Sequence, residues 1–252
     1  MIEVRNLTKR YKDVTAVDDL TFTVRPGIVT GFVGPNGAGK STTMRAIAGL
    51  DVPTSGAVRV NGKALVDTKS AMSELGVVLD AGLAHPGRSA RNHLRALAAT
   101  NGIPEARIDE VARLTGISDV AHRRAGTFSL GMAQRLGIAA ALLGDPLTLV
   151  LDEPINGLDP DGIIWLRGLM RSLADEGRTV FVSSHLMGEL GLIADRIIVI
   201  GKGRLLADGP VEAILKSSSS ESLEAAYISL TGGSTQYRSG APATQPSLEK
   251  GK

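Results

Sequence analysis

Between residues 34 and 41 the chain reads Gly34-Pro35-Asn36-Gly37-Ala38-Gly39-Lys40-Ser41, which fits GxxxxGK[ST] at every fixed position. Glycines let a backbone wrap closely around phosphates, so that successive N–H groups and the start of the next helix point at negative charge. In such a cradle Lys40 reaches the β and γ phosphates of a nucleoside triphosphate, and the Ser41 hydroxyl can ligate Mg2+. The expected binding residues are Gly34, Asn36, Gly37, Ala38, Gly39, Lys40, Ser41 and the adjacent Thr42. A glycine-rich turn arising by chance would lack the strand before it and the helix after it, and both are expected here.

A second constellation follows the apolar run Leu147 to Leu151, which ends in Asp152-Glu153-Pro154. Magnesium chemistry on a triphosphate needs carboxylates at such a strand tip. Asp152 is expected to hold the metal, through water, and Glu153 to orient and deprotonate the attacking water. Acidic residues that merely cap a helix are the plainer alternative, but the apolar run before them is what a central buried strand requires.

The elements that must carry these groups can be placed from periodicity. Ile2 and Val4, then Leu20, Phe22 and Val24, alternate with polar residues as half-buried strands do. Ile28 to Val33 reads as a buried strand entering the glycine loop, and Lys40 to Leu50 as the helix leaving it, with Met44, Ile47 and Leu50 at helical spacing. Further strands are expected at Ala57 to Val60, before an Asn61-Gly62 turn, and at Leu75 to Leu79, Leu147 to Leu151, Val180 to Ser183 and Ile197 to Ile200. Ala90 to Leu142 changes to Ala, Leu and Arg at helical spacing, and another helix is expected over Gly162 to Ala174. Strands alternating with helices argue for an α/β fold with a mostly parallel sheet.

Length and composition fit one large domain with a smaller satellite: 252 residues, 43% hydrophobic and 21% charged. The formal net charge of +2 balances 28 basic against 26 acidic groups, so charge gives no argument for nucleic acid. Without cysteine there are no disulfides, thiolate metal sites or cysteine nucleophiles, which fits a reducing, cytoplasmic setting. No secretory signal is read at Met1 to Arg10, and Leu136 to Leu151 is too broken by Gly, Asp and Pro to span a membrane. The residues from 231 to 252 are poor in large apolar side chains and are expected to stay disordered.

Over roughly residues 1 to 230 the chain resembles the ATP-binding subunits of ATP-binding-cassette (ABC) transporters. Besides the two motifs above, Phe128-Ser129-Leu130-Gly131-Met132 resembles the family's signature motif, Gly157-Leu158-Asp159-Pro160 its D-loop and Ser183-Ser184-His185 its switch histidine. Pro53-Thr54-Ser55-Gly56 is similar to the stretch after its first helix, and Tyr11 to its adenine-stacking aromatic. The resemblance implies a P-loop NTPase (RecA-like) core over 1–82 and 142–215. It also implies an antiparallel β region, an inserted helical subdomain near 83–141 and a C-terminal helix near 221–230. It further implies ATP and Mg2+, with Glu153, His185 and Lys40 catalytic. Two copies would pair head to tail, each ATP lying between one copy's phosphate loop and the other's Ser129 and Gly131, with Asp159 a further nucleotide-binding residue. A separate transmembrane permease subunit would be the further partner, with the chain peripheral on the inner face of the cell membrane and no nucleic acid bound.

Two features depart from the family pattern. Asp80 stands where a magnesium-contacting glutamine is usual, and the signature has Leu130 where glycine is usual, so that its bulk must point away from nucleotide, and Met132 where glutamine is often found. Asp80 remains a candidate metal ligand. Both departures resemble bacterial exporters of drug and antibiotic-resistance type. Arg88, Arg91 and Arg95 are expected close to one helical face, either solvated or against a membrane subunit. Two other readings stay open: a soluble ABC ATPase acting on ribosomes or DNA, and a nucleotide-dependent binding module that hydrolyses weakly.

Overall fold

The computed structural model describes residues 1–80, 82 and 84–232. The chain opens with an antiparallel pair, β1 (Ile2–Tyr11) and β2 (Val14–Val24), whose alternate residues Ile2, Val4, Leu20, Phe22 and Val24 are buried. β3 (Val29–Val33) is buried at all five positions, and α1 (Lys40–Ile47) follows the glycine loop. The helix stops three residues short of Leu50, because Gly49 takes a positive φ of 70° that turns the chain. β4 (Ser55–Val60) returns alongside β1, making a three-stranded sheet in the order β2-β1-β4. Asn61 and Gly62, both at positive φ, close the tight turn after it.

A short α2 (Ala71–Glu74) leads into β5 (Leu75–Val78). The helical stretch that follows contains α3 (Ala90–Thr100), α4 (Glu105–Leu114) and α5 (Leu130–Leu142), the last lying against β5. Next come β6 (Thr148–Leu151), α6 (Pro160–Asp175), β7 (Thr179–Ser183), α7 (Met187–Gly191) and β8 (Arg196–Gly201). β9 (Arg204–Pro210), α8 (Val211–Ser217) and α9 (Leu223–Thr231) complete the described chain. The larger sheet runs β5-β6-β7-β3-β8-β9, parallel throughout except for β9 at its edge.

Two cores sit on the two faces of this sheet. On one, Phe32, Phe181 and Ile198 meet the antiparallel sheet and α1, with the rings of Phe22, Phe32 and Phe181 5.0 to 5.8 Å apart. On the other, Val33, Val180 and Val182 meet the helices, including Leu94, Ile108 and Leu136 of the helical stretch. Burial on both faces is why the central strands read as unbroken apolar runs. The C-terminal ends of β3, β6 and β7 are thereby brought to one edge, where the glycine loop, Asp152-Glu153 and His185 emerge.

The arginine expectation holds in part, since Arg91 and Arg95 lie one turn apart on α3 and stay partly solvated. Arg88 precedes the helix, whose cap is Ser89, so it does not share a face with the other two. Arg91 and Arg95 are engaged within the chain, because α3 and α4 pack together and set acids opposite them. Arg91 bonds to Asp109, and Arg95 Nε donates to Glu105 at 3.1 Å. The expectation for residues 233–252 lies outside the described residues.

Candidate functional site

The glycine loop has the backbone that its sequence demands. Gly37 and Gly39 take φ of 78° and 102°, and a Cβ at Gly39 would stand 2.6 Å from the Ala16 carbonyl oxygen. Gly39 precedes α1, so the unpartnered amides of the first helical turn face the loop's hollow. Tyr11 and Ala16 join Asn36, Gly37, Gly39, Lys40, Ser41 and Thr42 around a cavity of about 490 Å³. Lys40 Nζ donates to the Gly34 carbonyl at 2.6 Å. Burial pulls its ammonium below the ordinary lysine range, against the opposing pull of Glu153 and Asp152.

Tyr11 is exposed at the end of β1, but its position is fixed. Its hydroxyl donates to Asp51 Oδ2 at 2.7 Å, Arg45 Nε donates to the same oxygen at 2.9 Å, and Lys9 Nζ lies 4.9 Å from the ring centroid. The bond to the Asp51 carboxylate raises the phenol's pKa.

The carboxylates form one connected array with the loop. Ser41 Oγ donates to Asp152 Oδ2 at 3.0 Å. Ser183, at the end of β7, donates to Asp152 Oδ1 and accepts from the Glu153 amide at 2.9 Å. Glu153 itself sits at φ 49°, a left-handed conformation unusual for its type and held by this hydroxyl. Its Oε2 is 2.7 Å from His185 Nδ1 and also accepts from the His185 amide at 3.3 Å. Asp80 is exposed, accepts from the Gly82 amide at 2.8 Å, and shares a second cavity of about 560 Å³ with Ser41 and Asp152.

These donors suit Mg2+, a hard cation that takes one or two carboxylates, keeps several waters and leaves the rest of its shell to phosphate. No group of three or more His, Cys, Asp or Glu residues able to hold a metal occurs among the described residues.

Ser129, Gly131 and Asp159 lie elsewhere and do not line the phosphate-loop cavity. Ser129 caps α5 by accepting from the Met132 amide at 3.2 Å, and Asp159 caps α6 by accepting from the Gly162 amide at 2.8 Å. All three residues stand at the surface or half-exposed. Sequence reasoning missed Asp51 as the partner of Tyr11, and gave Ser183 no role beyond its place in a motif. Neither carries a local signal, since Asp51 is 40 residues from Tyr11 and Ser183 is 31 from Asp152.

A parallel sheet with a phosphate-binding loop after one strand and a carboxylate pair after another defines a P-loop nucleotide-binding ATPase. Residues 17–156 match the family model described as ABC transporter. The chain is 42% identical over 209 residues to the uncharacterized ABC transporter ATP-binding protein YhcH of Bacillus subtilis, covering 82% of this chain and 68% of that protein. It is 40% identical over 219 residues to the bacitracin transport ATP-binding protein BcrA of Bacillus licheniformis, covering 86% and 72%. A solved ATP-binding subunit of an ABC transporter superposes with a TM-score of 0.84 at 29% identity, covering 92% of this chain and 99% of that one. A dimeric bacterial ABC transporter cassette superposes at 0.75 with 25% identity, covering 83% and 98%. The chain belongs to the ABC transporter family, as an ATP-binding and ATP-hydrolysing cassette.

Proposed function

We propose that this cassette powers an exporter of a drug, antibiotic or similar hydrophobic small molecule. In this reading residues 1–230 are the working unit, and the path across the membrane belongs to a separate transmembrane permease. Support for the cargo class comes from relatives named for bacitracin and lantibiotic transport. Among the described residues no helix is long and apolar enough to cross a membrane. Peripheral attachment to the inner face of the cell membrane follows from the permease assignment.

The observation that carries the catalytic reading is the unbroken hydrogen-bonded array from Ser41 through Asp152 and Ser183 to Glu153 and His185. Lys40 and the loop amides bind the phosphates, and Tyr11 offers its ring to the adenine. Ser41 and Asp152 hold Mg2+, with Asp80 on the wall of the same cavity. When bound, the ion neutralises charge on the phosphate oxygens. Glu153 accepts the proton of the attacking water, and His185 keeps the carboxylate aimed. Ser129, Gly131 and Asp159 serve the nucleotide of a second copy, because in their own chain they do not line the loop cavity. ATP thus joins two copies head to tail, and its hydrolysis releases them.

The test is Glu153→Gln. The purified variant is expected to lose turnover and to sediment as a dimer with saturating Mg-ATP. A variant that stays monomeric would overturn the pairing, and one that hydrolyses at the parental rate would overturn the role of Glu153. For the transport assignment, the tagged chain should co-purify from membranes with a multispanning protein. Recovery of ribosomes or DNA alone would favour a soluble ATPase instead.

A further inference from the structure

Leu130 is 60% exposed yet far from idle. It is the first residue of α5, directly after the Ser129 cap, and it lies against Gly157 of the segment that joins Glu153 to α6. A Cβ built on Gly157 would overlap Leu130 Cγ and Cδ2 and stand 2.9 Å from its Cβ. The adjacent Gly131 is equally constrained, since a Cβ there would stand 2.8 Å from the Gly157 carbonyl oxygen. A side chain at position 157 would force Leu130 out of this seat. Two turns distant in sequence are thus interlocked at one point, a bulky side chain of one seated on the bare backbone of the other.

Each turn also packs on the core through Phe128, Ile155 and Leu158, but its own hydrogen bonds are local. Ser129 and Asp159 cap their own helices, and the segment between Glu153 and α6 is bonded to itself through Asn156 N–H to the Glu153 carbonyl and Leu158 N–H to the Ile155 carbonyl. Without the leucine, nothing in these bonds would tie one turn to the other. The side chain's position also answers where its bulk goes: it turns onto its own chain.

We propose that Leu130 is a positioning residue that locks the turn carrying Ser129 and Gly131 to the turn carrying Asp159, so that both meet the second copy as one rigid edge. This rests on the head-to-tail pairing proposed above. It assigns the departure at Leu130 a role: leucine at 130 and glycine at 157 are a matched pair of sizes.

Hydrogen exchange on the nucleotide-free chain tests the lock without relying on pairing. Leu130→Gly is expected to raise exchange at residues 155–158 by about 10-fold, the equivalent of roughly 1.4 kcal/mol, while residues 36–42 exchange as before. Unchanged exchange at 155–158 would overturn the proposal. Gly157→Ala is strained at φ +78° in any background, but only the clash depends on residue 130. In the Glu153→Gln background it should weaken ATP-driven dimerisation about 10-fold or more, and adding Leu130→Gly should recover at least about 3-fold. No recovery would mean that strain alone acts and that the size match is irrelevant. If exchange responds as expected but Glu153→Gln never dimerises, the lock stands and the pairing fails. Nucleotide affinity of each variant's monomer, read by titration, shows that the phosphate loop and the fold are intact.

Discussion

The phosphate loop and the signature turn are built in opposite ways. The loop is embedded: it leaves a fully buried strand, its glycines abut the Ala16 and Ile200 carbonyls, and Ser41 is bonded to the strand tip that carries Asp152. The signature turn is at the surface, its serine hydroxyl is engaged with its own helix, and Leu130 and Gly131 meet its neighbour at Gly157. One half of the proposed site is therefore built into the core of the lone chain, and the other, in the proposed pairing, would serve the nucleotide of the second copy. Substitutions in the first should act on binding and chemistry within one copy. Those in the second should act on pairing.

The largest effect belongs to the embedded half. Glu153→Gln should cut steady-state phosphate release by about 100- to 10,000-fold, the usual weight of a general base, and leave nucleotide affinity nearly unchanged. Lys40→Ala should weaken nucleotide binding by about 10- to 100-fold, as expected for losing a charge-assisted bond of roughly 1.5–3 kcal/mol, measurable by titration calorimetry on the monomer. On the surface half, Ser129→Ala should lower unfolding stability by about 1 kcal/mol through its lost cap, and should loosen ATP-driven pairing in the Glu153→Gln background. Monomer affinity should not move; a matching drop there would erase the distinction between the halves.

The smallest effect is a pH response in the helical stretch. His93 of α3 is half-buried, its Nδ1 has no hydrogen-bond partner among the described residues, and burial together with Arg88 lowers its pKa below 6.5. Unfolded chains take up this proton near pH 6.5, whereas the folded protein resists it. Stability is therefore full above that value and declines as pH falls through it toward the folded-state pKa. Thermal unfolding between pH 7 and 5 should show a decline that His93→Gln flattens, with exchange protection falling around α3 before it falls around α1.

How much could be read beforehand follows the same division. The glycine loop, α1 and the central strands were legible because phosphate chemistry and two-sided burial both leave local marks: fixed spacings and unbroken apolar runs. β9 left none, since Arg204 to Pro210 is a mostly exposed edge strand whose glycine and proline resemble a turn. The pairing of Arg91 with Asp109 was invisible because it depends on how α3 meets α4. Leu130 was noticed as an oddity, but its reason lies 27 residues away in the missing side chain of Gly157. The candidate catalytic residues were all named from sequence. What sequence could not supply was the connecting hydroxyl and the clamp on Tyr11, because such partners are chosen by proximity and any of several residue types could serve.

That connecting hydroxyl has a consequence of its own. Ser183 Oγ donates to the carboxylate assigned to the ion and accepts from the backbone of the carboxylate assigned to the water. One atom therefore joins the side chain proposed to grip the ion to the backbone of the residue proposed to activate the water, so a change at Ser183 reaches both carboxylates at once.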